Sequence, residues 1–128
     1  MQLSCCHKYK WRKDRLERFS RFFYSMNRIE KLQEYLLASP NDSFLLHALA
    51  LEYIKIGQDA QARQVFETLL LRDPGYVGSY YHLAKLLERT GEQALAIEWY
   101  EKGMEAAKVA GDKHAYGELK SAYEELLY

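Results

Sequence analysis

Cysteine is almost missing from this 128-residue chain, and its two examples, Cys5 and Cys6, are neighbours. Adjacent cysteines cannot tie distant parts of a fold together, and no third exists to complete a zinc site. Proline occurs only at positions 40 and 74, so long stretches carry no residue that forbids a helix. No run of about 18 apolar residues is present, so an ordinary membrane-spanning helix is not encoded. The best candidate for the apolar stretch of a secretory signal, residues 16–24, is broken by Arg18 and Arg21. Net charge is also lacking, with 18 basic against 18 acidic residues. That balance hides an asymmetry. Residues 1–26 carry Lys8, Lys10, Arg12, Lys13, Arg15, Arg18 and Arg21 against Asp14 and Glu17 alone, so a basic arm precedes a mildly acidic body. An apolar content of 48% suffices for one domain with a real core. A body without cysteine suits a reducing compartment, and a cytoplasmic protein is the expectation.

What is present is a period. Pro40 and Pro74 are 34 residues apart, and so are Gly57 and Gly91. The same offset pairs Leu49 with Leu83, Ala50 with Ala84, Ala62 with Ala96, and Phe66 with Tyr100. A fixed period of this size marks one supersecondary unit used repeatedly. Each proline interrupts helix, and Asp42 or Ser43 is placed to cap the helix that follows Pro40. Apolar residues then recur three and four apart until a glycine, which suits the left-handed residue that ends a helix. Second helices are predicted over 59–71 and 92–110. Small residues at Ala50, Ala62, Ala84 and Ala96 let paired helices approach closely. The expected architecture is all-α: antiparallel helix pairs joined by short links and stacked side by side.

These residues resemble the tetratricopeptide repeat family. The first unit offers Leu46, Leu49-Ala50, Tyr53, Ala62, Phe66, Leu69 and Pro74; the second offers Tyr80, Leu83-Ala84, Leu87, Ala96, Tyr100 and Gly103. No Trp opens either unit, Leu69 and Gly103 replace an alanine of the pattern, and Lys108 stands where a proline would. The missing proline predicts that the helix from Glu92 continues toward Ala110, where Gly111-Asp112 ends it. Full repeats are expected at about 43–76 and 77–110, flanked by helices over 27–39 and 113–127. The resemblance thus covers a repeat domain of residues 27–128, with about three helix pairs in a right-handed superhelical stack.

In such stacks the first helix of each pair lines a concave surface. The resemblance therefore implies a partner-binding groove of Phe44, His47, Leu51, Ile54 and Lys55 from the first unit, with Tyr81, His82, Lys85, Glu88 and Arg89 from the second. The competing expectation is that Leu51 and Ile54 simply pack against the neighbouring outer helix. Some family members clamp a peptide's terminal carboxylate with Lys, Asn and Arg. The matching places here hold His47, Leu51 and His82, with Glu118 near the third, so a carboxylate would find no fixed donors and one repelling charge. His47, His82 and His114 belong to successive first helices, but no two share a helix at one-turn spacing, and groove lining is preferred to a metal site. No phosphate loop, nucleophile elbow or nucleophile–base pair occurs, so neither an enzyme nor a cofactor is expected.

The arm over residues 1–26 is read as disordered or as a basic amphipathic helix with Trp11, Leu16, Phe19, Phe23 and Met26 on one side. Its abrupt change of charge and pattern at Met26 suggests another reading, in which residues 1–25 are an upstream stretch and Met26 is the start. The leading functional expectation is an adaptor that holds a protein or peptide in the groove. The alternatives are self-association through an apolar carboxyl-terminal helix, as a homodimer, and attachment to membrane or nucleic acid through the arm. Neither nucleic acid nor membrane is expected to bind the repeat domain.

Overall fold

The computed structural model describes the backbone of residues 2–128 and the side chains of residues 15–128. Six helices follow one another: α1 (Gln2–Ala38), α2 (Ser43–Lys55), α3 (Asp59–Arg72), α4 (Gly78–Arg89), α5 (Gln93–Ala110) and α6 (Lys113–Leu127). Among the described residues there is no strand. Each helix packs on the next in the chain, and α4 also touches α6.

Local chemistry sets the ends. Asp42 accepts a hydrogen bond from the Leu45 amide at 3.2 Å, and Asp112 does the same for Ala115 at 3.0 Å, at the starts of α2 and α6. Gly57 and Gly91 have φ of +78° and +86°, which lets the chain reverse after α2 and α4. The bonds around them are equivalent: the Gly57 amide reaches the Ile54 carbonyl and Gln58 reaches Tyr53, while Gly91 reaches Glu88 and Glu92 reaches Leu87. Two turns with one hydrogen-bond pattern, one period apart, give the two helix pairs the same hinge.

Ala50, Ala62, Ala84 and Ala96 are all fully buried, as close helix approach requires. Around them the larger core runs from Phe66 and Leu69 through Leu83, Leu87 and Tyr100 to Leu119. A smaller cluster of Ile29, Leu32 and Leu49 seals α1 on α2. Ser43 donates to Asp73 at 2.7 Å within the first unit, while polar bonds tie that unit to the next: Arg89 meets Asp59 at 2.6 Å, and Arg63 bridges Glu67 on its own helix and Glu92 beyond it.

Two expectations change. The helix expected over 27–39 is the carboxyl-terminal third of α1, a single helix of 37 residues that crosses position 26 without a break. At 1.5 Å per residue it is about 55 Å long against about 20 Å for α2, so its upstream part runs past the stack. Cys5, Cys6 and Trp11 lie outside the described side chains. The second change is at the other end. The carboxyl-terminal helix was expected to be apolar through Tyr123, Leu126, Leu127 and Tyr128; Leu126 packs on the core and the Tyr123 hydroxyl donates to Glu101 at 3.0 Å, which leaves Leu127 and Tyr128 exposed.

Candidate functional site: the face of α2, α4 and α6

The first helices of successive units share one face of the stack, and two adjoining depressions cross it. One, of about 550 Å³, is lined by Ile54 from α2 and by His82, Lys85, Leu86, Glu88 and Arg89 from α4. The other, of about 610 Å³, lies between α4 and α6; its lining includes Tyr81, Lys85, Lys113, His114, Glu118 and Glu125. Lys85 belongs to both and joins them. Its ammonium stands 5.8 Å from the Tyr81 ring centre and 3.5 Å from a Glu88 oxygen. Glu88 in turn accepts a hydrogen bond from the buried Tyr100 of α5. Burial, and after it the contact with Glu88, raises the Tyr100 hydroxyl far above its ordinary range. A carboxylate held from behind by a core tyrosine thus keeps Lys85 in place on the surface.

Beneath the first depression lies an aromatic cluster. The rings of His47 and His82 are 5.4 Å apart, and Phe66 lies parallel to His82 at 6.3 Å. His47 Nδ1 shares a 2.7 Å hydrogen bond with the hydroxyl of Ser79, which is fully buried. Both imidazoles are held below the ordinary value of 6.5. Burial is the first cause for each; His82 depresses His47 further, while Glu118 partly offsets the effect at His82. The unfolded chain therefore takes up protons near pH 6.5 that the folded pair refuses. Stability contributed here is level above that pH and falls as pH drops from 6.5 through the depressed folded values. The expected result is a urea midpoint that declines between about pH 7.5 and about pH 5.5, with the decline reduced in a His47→Gln, His82→Gln variant. Equal slopes in the two proteins would show that the pair does not carry the effect.

The sequence-predicted residues divide. Ile54, Tyr81, His82, Lys85, Glu88 and Arg89 come together on this face, although Arg89 is engaged by Asp59. His47 and Leu51 are half-buried between the units; Leu51 packs on the core, so a charge placed there would damage the fold before it tested a groove. Lys55 is turned elsewhere. It pairs with the buried Glu52, which Arg28 of α1 also contacts, and it lines a depression beside Arg18 and Arg21. The reason is helical phase: Lys55 lies next to Ile54 in sequence, about 100° around the helix. Phe44 stands exposed in the first turn of α2, outside both depressions. His114, expected to line the groove, does so, and Lys113 and Glu125 of α6 complete the face without having been predicted for it. The 34-residue register slips after Lys108, where the family's proline is missing, so counting from the earlier units misplaces them. Among the described residues no cluster of three or more His, Cys, Asp or Glu side chains suits a metal ion, and no helix is long and apolar enough to cross a membrane.

Comparison with known proteins agrees with this architecture. The chain matches the tetratricopeptide repeat family over residues 45–76 and 77–109. The TPR repeat-containing protein PA0015 of Pseudomonas aeruginosa is 28% identical over 91 residues, covering 71% of this chain and 87% of that protein. The crystal structure of a tetratricopeptide repeat domain protein from Salinibacter ruber superposes with a TM-score of 0.64 at 40% identity, over 66% of this chain and 94% of that one. The type III secretion translocator chaperone SycD of Yersinia enterocolitica shares the fold, with a TM-score of 0.70 at 18% identity, over 89% of this chain and 84% of its own. With two matched repeats, the buried alanines and the glycine turns in register, this chain belongs to the tetratricopeptide repeat family, whose members serve as protein-interaction modules.

Proposed function

We propose that the face of α2, α4 and α6 holds a peptide segment of a protein partner, and that the protein acts as a non-catalytic adaptor. The observation that carries this reading is the pair of depressions meeting at Lys85. Their floor is mixed: Ile54, Leu86 and the Tyr81 ring offer apolar contact, while Lys85, Lys113 and His114 offer donors. Apolar anchors supply most of the binding energy in such a surface, and charges select the partner and set its register. Glu118 and Glu125 on α6 make the far end less welcoming to an acidic segment than the Lys85 end.

The test places a photo-crosslinking amino acid at position 85, and separately at the exposed position 61 on α3. Peptides captured from position 85 are identified by mass spectrometry, synthesised and titrated by calorimetry. The expected result is capture from position 85 but not 61, and binding weakened about tenfold or more by Lys85→Glu or Tyr81→Ala, the loss of one anchor contact. Capture from position 61 alone, or a synthetic peptide indifferent to both substitutions, would remove the support for this face.

A further inference from the structure

The opposite side of the stack carries a second unfilled surface. Between α3 and α5 a cleft of about 1080 Å³ is lined largely by apolar atoms, with Leu71, Pro74, Tyr80, Trp99 and Val109 among its residues. Leu71 and Val109 are 86% and 82% exposed, more than an isolated domain needs to leave in water. Glu67 and Glu105 stand at its border; Lys102, the one cation lining it among the described residues, lies over the Trp99 ring at 4.6 Å.

The same molecule displays a surface of matching chemistry. Upstream of the stack, α1 exposes Leu16, Phe19, Phe22, Phe23 and Met26. Phe19, Phe22, Phe23 and Met26 occupy positions i, i+3, i+4 and i+7, the spacing by which an amphipathic helix lays anchors into a groove. The phenyl rings already contact one another, Phe19 on Phe23 at 4.7 Å and Phe22 on Phe23 at 6.2 Å, so they present one preformed ridge. Arg15, Arg18 and Arg21 are interleaved with them, and the arm to which they belong is the basic part of a chain whose remainder is acidic.

We infer that the residue 16–26 ridge of one copy docks into the α3–α5 cleft of a second copy. Charge selects this pairing over the simpler one, since ridge against ridge would bring two basic arms together, whereas ridge against cleft sets arginines near Glu67 and Glu105. Chain geometry opposes the intramolecular version: α1 is one continuous helix packed on α2, and it shares no packing interface with α5. The contact joins two different surfaces. It therefore either closes reciprocally, as a two-fold isologous pair, or repeats head to tail, as a heterologous assembly. It leaves the α2–α4–α6 face free for a partner.

Sedimentation velocity on the full chain tests it with three proteins: the wild type, an arm variant Phe19→Glu, Phe23→Glu, and a cleft variant Leu71→Glu, Val109→Glu. All four substituted positions are more than half exposed, so native circular dichroism and melting are expected in each. The wild type should associate, and each variant alone should do so at least about thirtyfold more weakly, the result of losing anchor residues. An equimolar mixture of the two variants should form a one-to-one complex, because one supplies an intact cleft and the other an intact ridge. Three results would overturn the inference: a monomeric wild type, a cleft variant that associates as the wild type does, or a mixture that stays monomeric. Wild type that remains monomeric but sediments with anionic lipid vesicles would assign the ridge to a membrane surface instead.

Discussion

Phe66→Ala is expected to lower the free energy of unfolding by about 3–5 kcal/mol, the usual cost of removing a buried phenyl ring and leaving its cavity. Against a total of about 5–15 kcal/mol for a domain of this kind, that brings the protein close to unfolding. Phe66 is fully buried on α3, at the junction of the two units. Its ring meets His47 of α2 at 5.8 Å and lies parallel to His82 of α4 at 6.3 Å, so one side chain contacts both first helices. The loss should therefore reach the candidate face as well as the core. Phe66→Leu keeps most of the volume and is expected to cost about 1–1.5 kcal/mol, near the limit for swaps that preserve packing. Urea unfolding followed by circular dichroism measures both. A cost below about 1 kcal/mol for the alanine variant would place the ring outside the core that joins the units.

Why the repeat was readable and the face only partly so comes down to which physical constraints are local. A helix ends where a backbone requirement meets a residue type, so Gly57, Gly91 and Asp42 announce themselves one at a time. Buried Ala62, Phe66, Ala96 and Tyr100 announce themselves by recurrence, because equivalent positions in stacked units meet equivalent surroundings. The length of α1 was available too: neither glycine nor proline occurs before Pro40, so nothing in the first 39 residues stops a helix. The shift in charge at Met26 drew attention to a boundary that the backbone does not have.

Side-chain meetings across helices are another matter. His47 and His82 are 35 residues apart, one more than the period, so they are neighbours in space without being equivalent in the repeat. Laying the sequence on itself pairs His47 with Tyr81 instead. Which of two adjacent residues faces the partner helix depends on crossing angle and rotation, and neither is written in either helix alone. Lys55 was misplaced for that reason, and the Glu88–Tyr100 bond that positions Lys85 could not have been found. Long-range polar contacts need two helices to be correctly phased at once.

Gly103→Leu is expected to be among the most damaging single substitutions in the chain, and the repeat itself indicates how to reverse it. A Cβ built on Gly103 would lie 2.7 Å from Tyr80 Cβ, closer than real side chains tolerate, and 3.1 Å from a Leu119 methyl carbon, which would have to give way. Even Gly103→Ala sets the gain of about 1 kcal/mol from better helix propensity against overlap with a neighbouring helix. For leucine the overlap dominates, and a loss of about 3 kcal/mol or more is expected. The cause is a trade of volume between the units. Where the second unit has Tyr80 and Gly103, the first has Leu46 and Leu69 one period earlier, both in the same core. Two leucines there occupy the places that a tyrosine and a glycine share here. Tyr80→Leu alone should cost about 1–3 kcal/mol, since it leaves a gap and removes a hydroxyl that donates to the Pro74 carbonyl at 2.6 Å. Tyr80→Leu with Gly103→Leu rebuilds the pair used by the first unit, and should be more stable than Gly103→Leu by at least about 1 kcal/mol although it carries one more substitution. Urea titration of the four proteins in the double-mutant cycle reads that coupling directly. Additive losses would mean that the two units pack these positions by different geometries and that the shared period ends at the backbone.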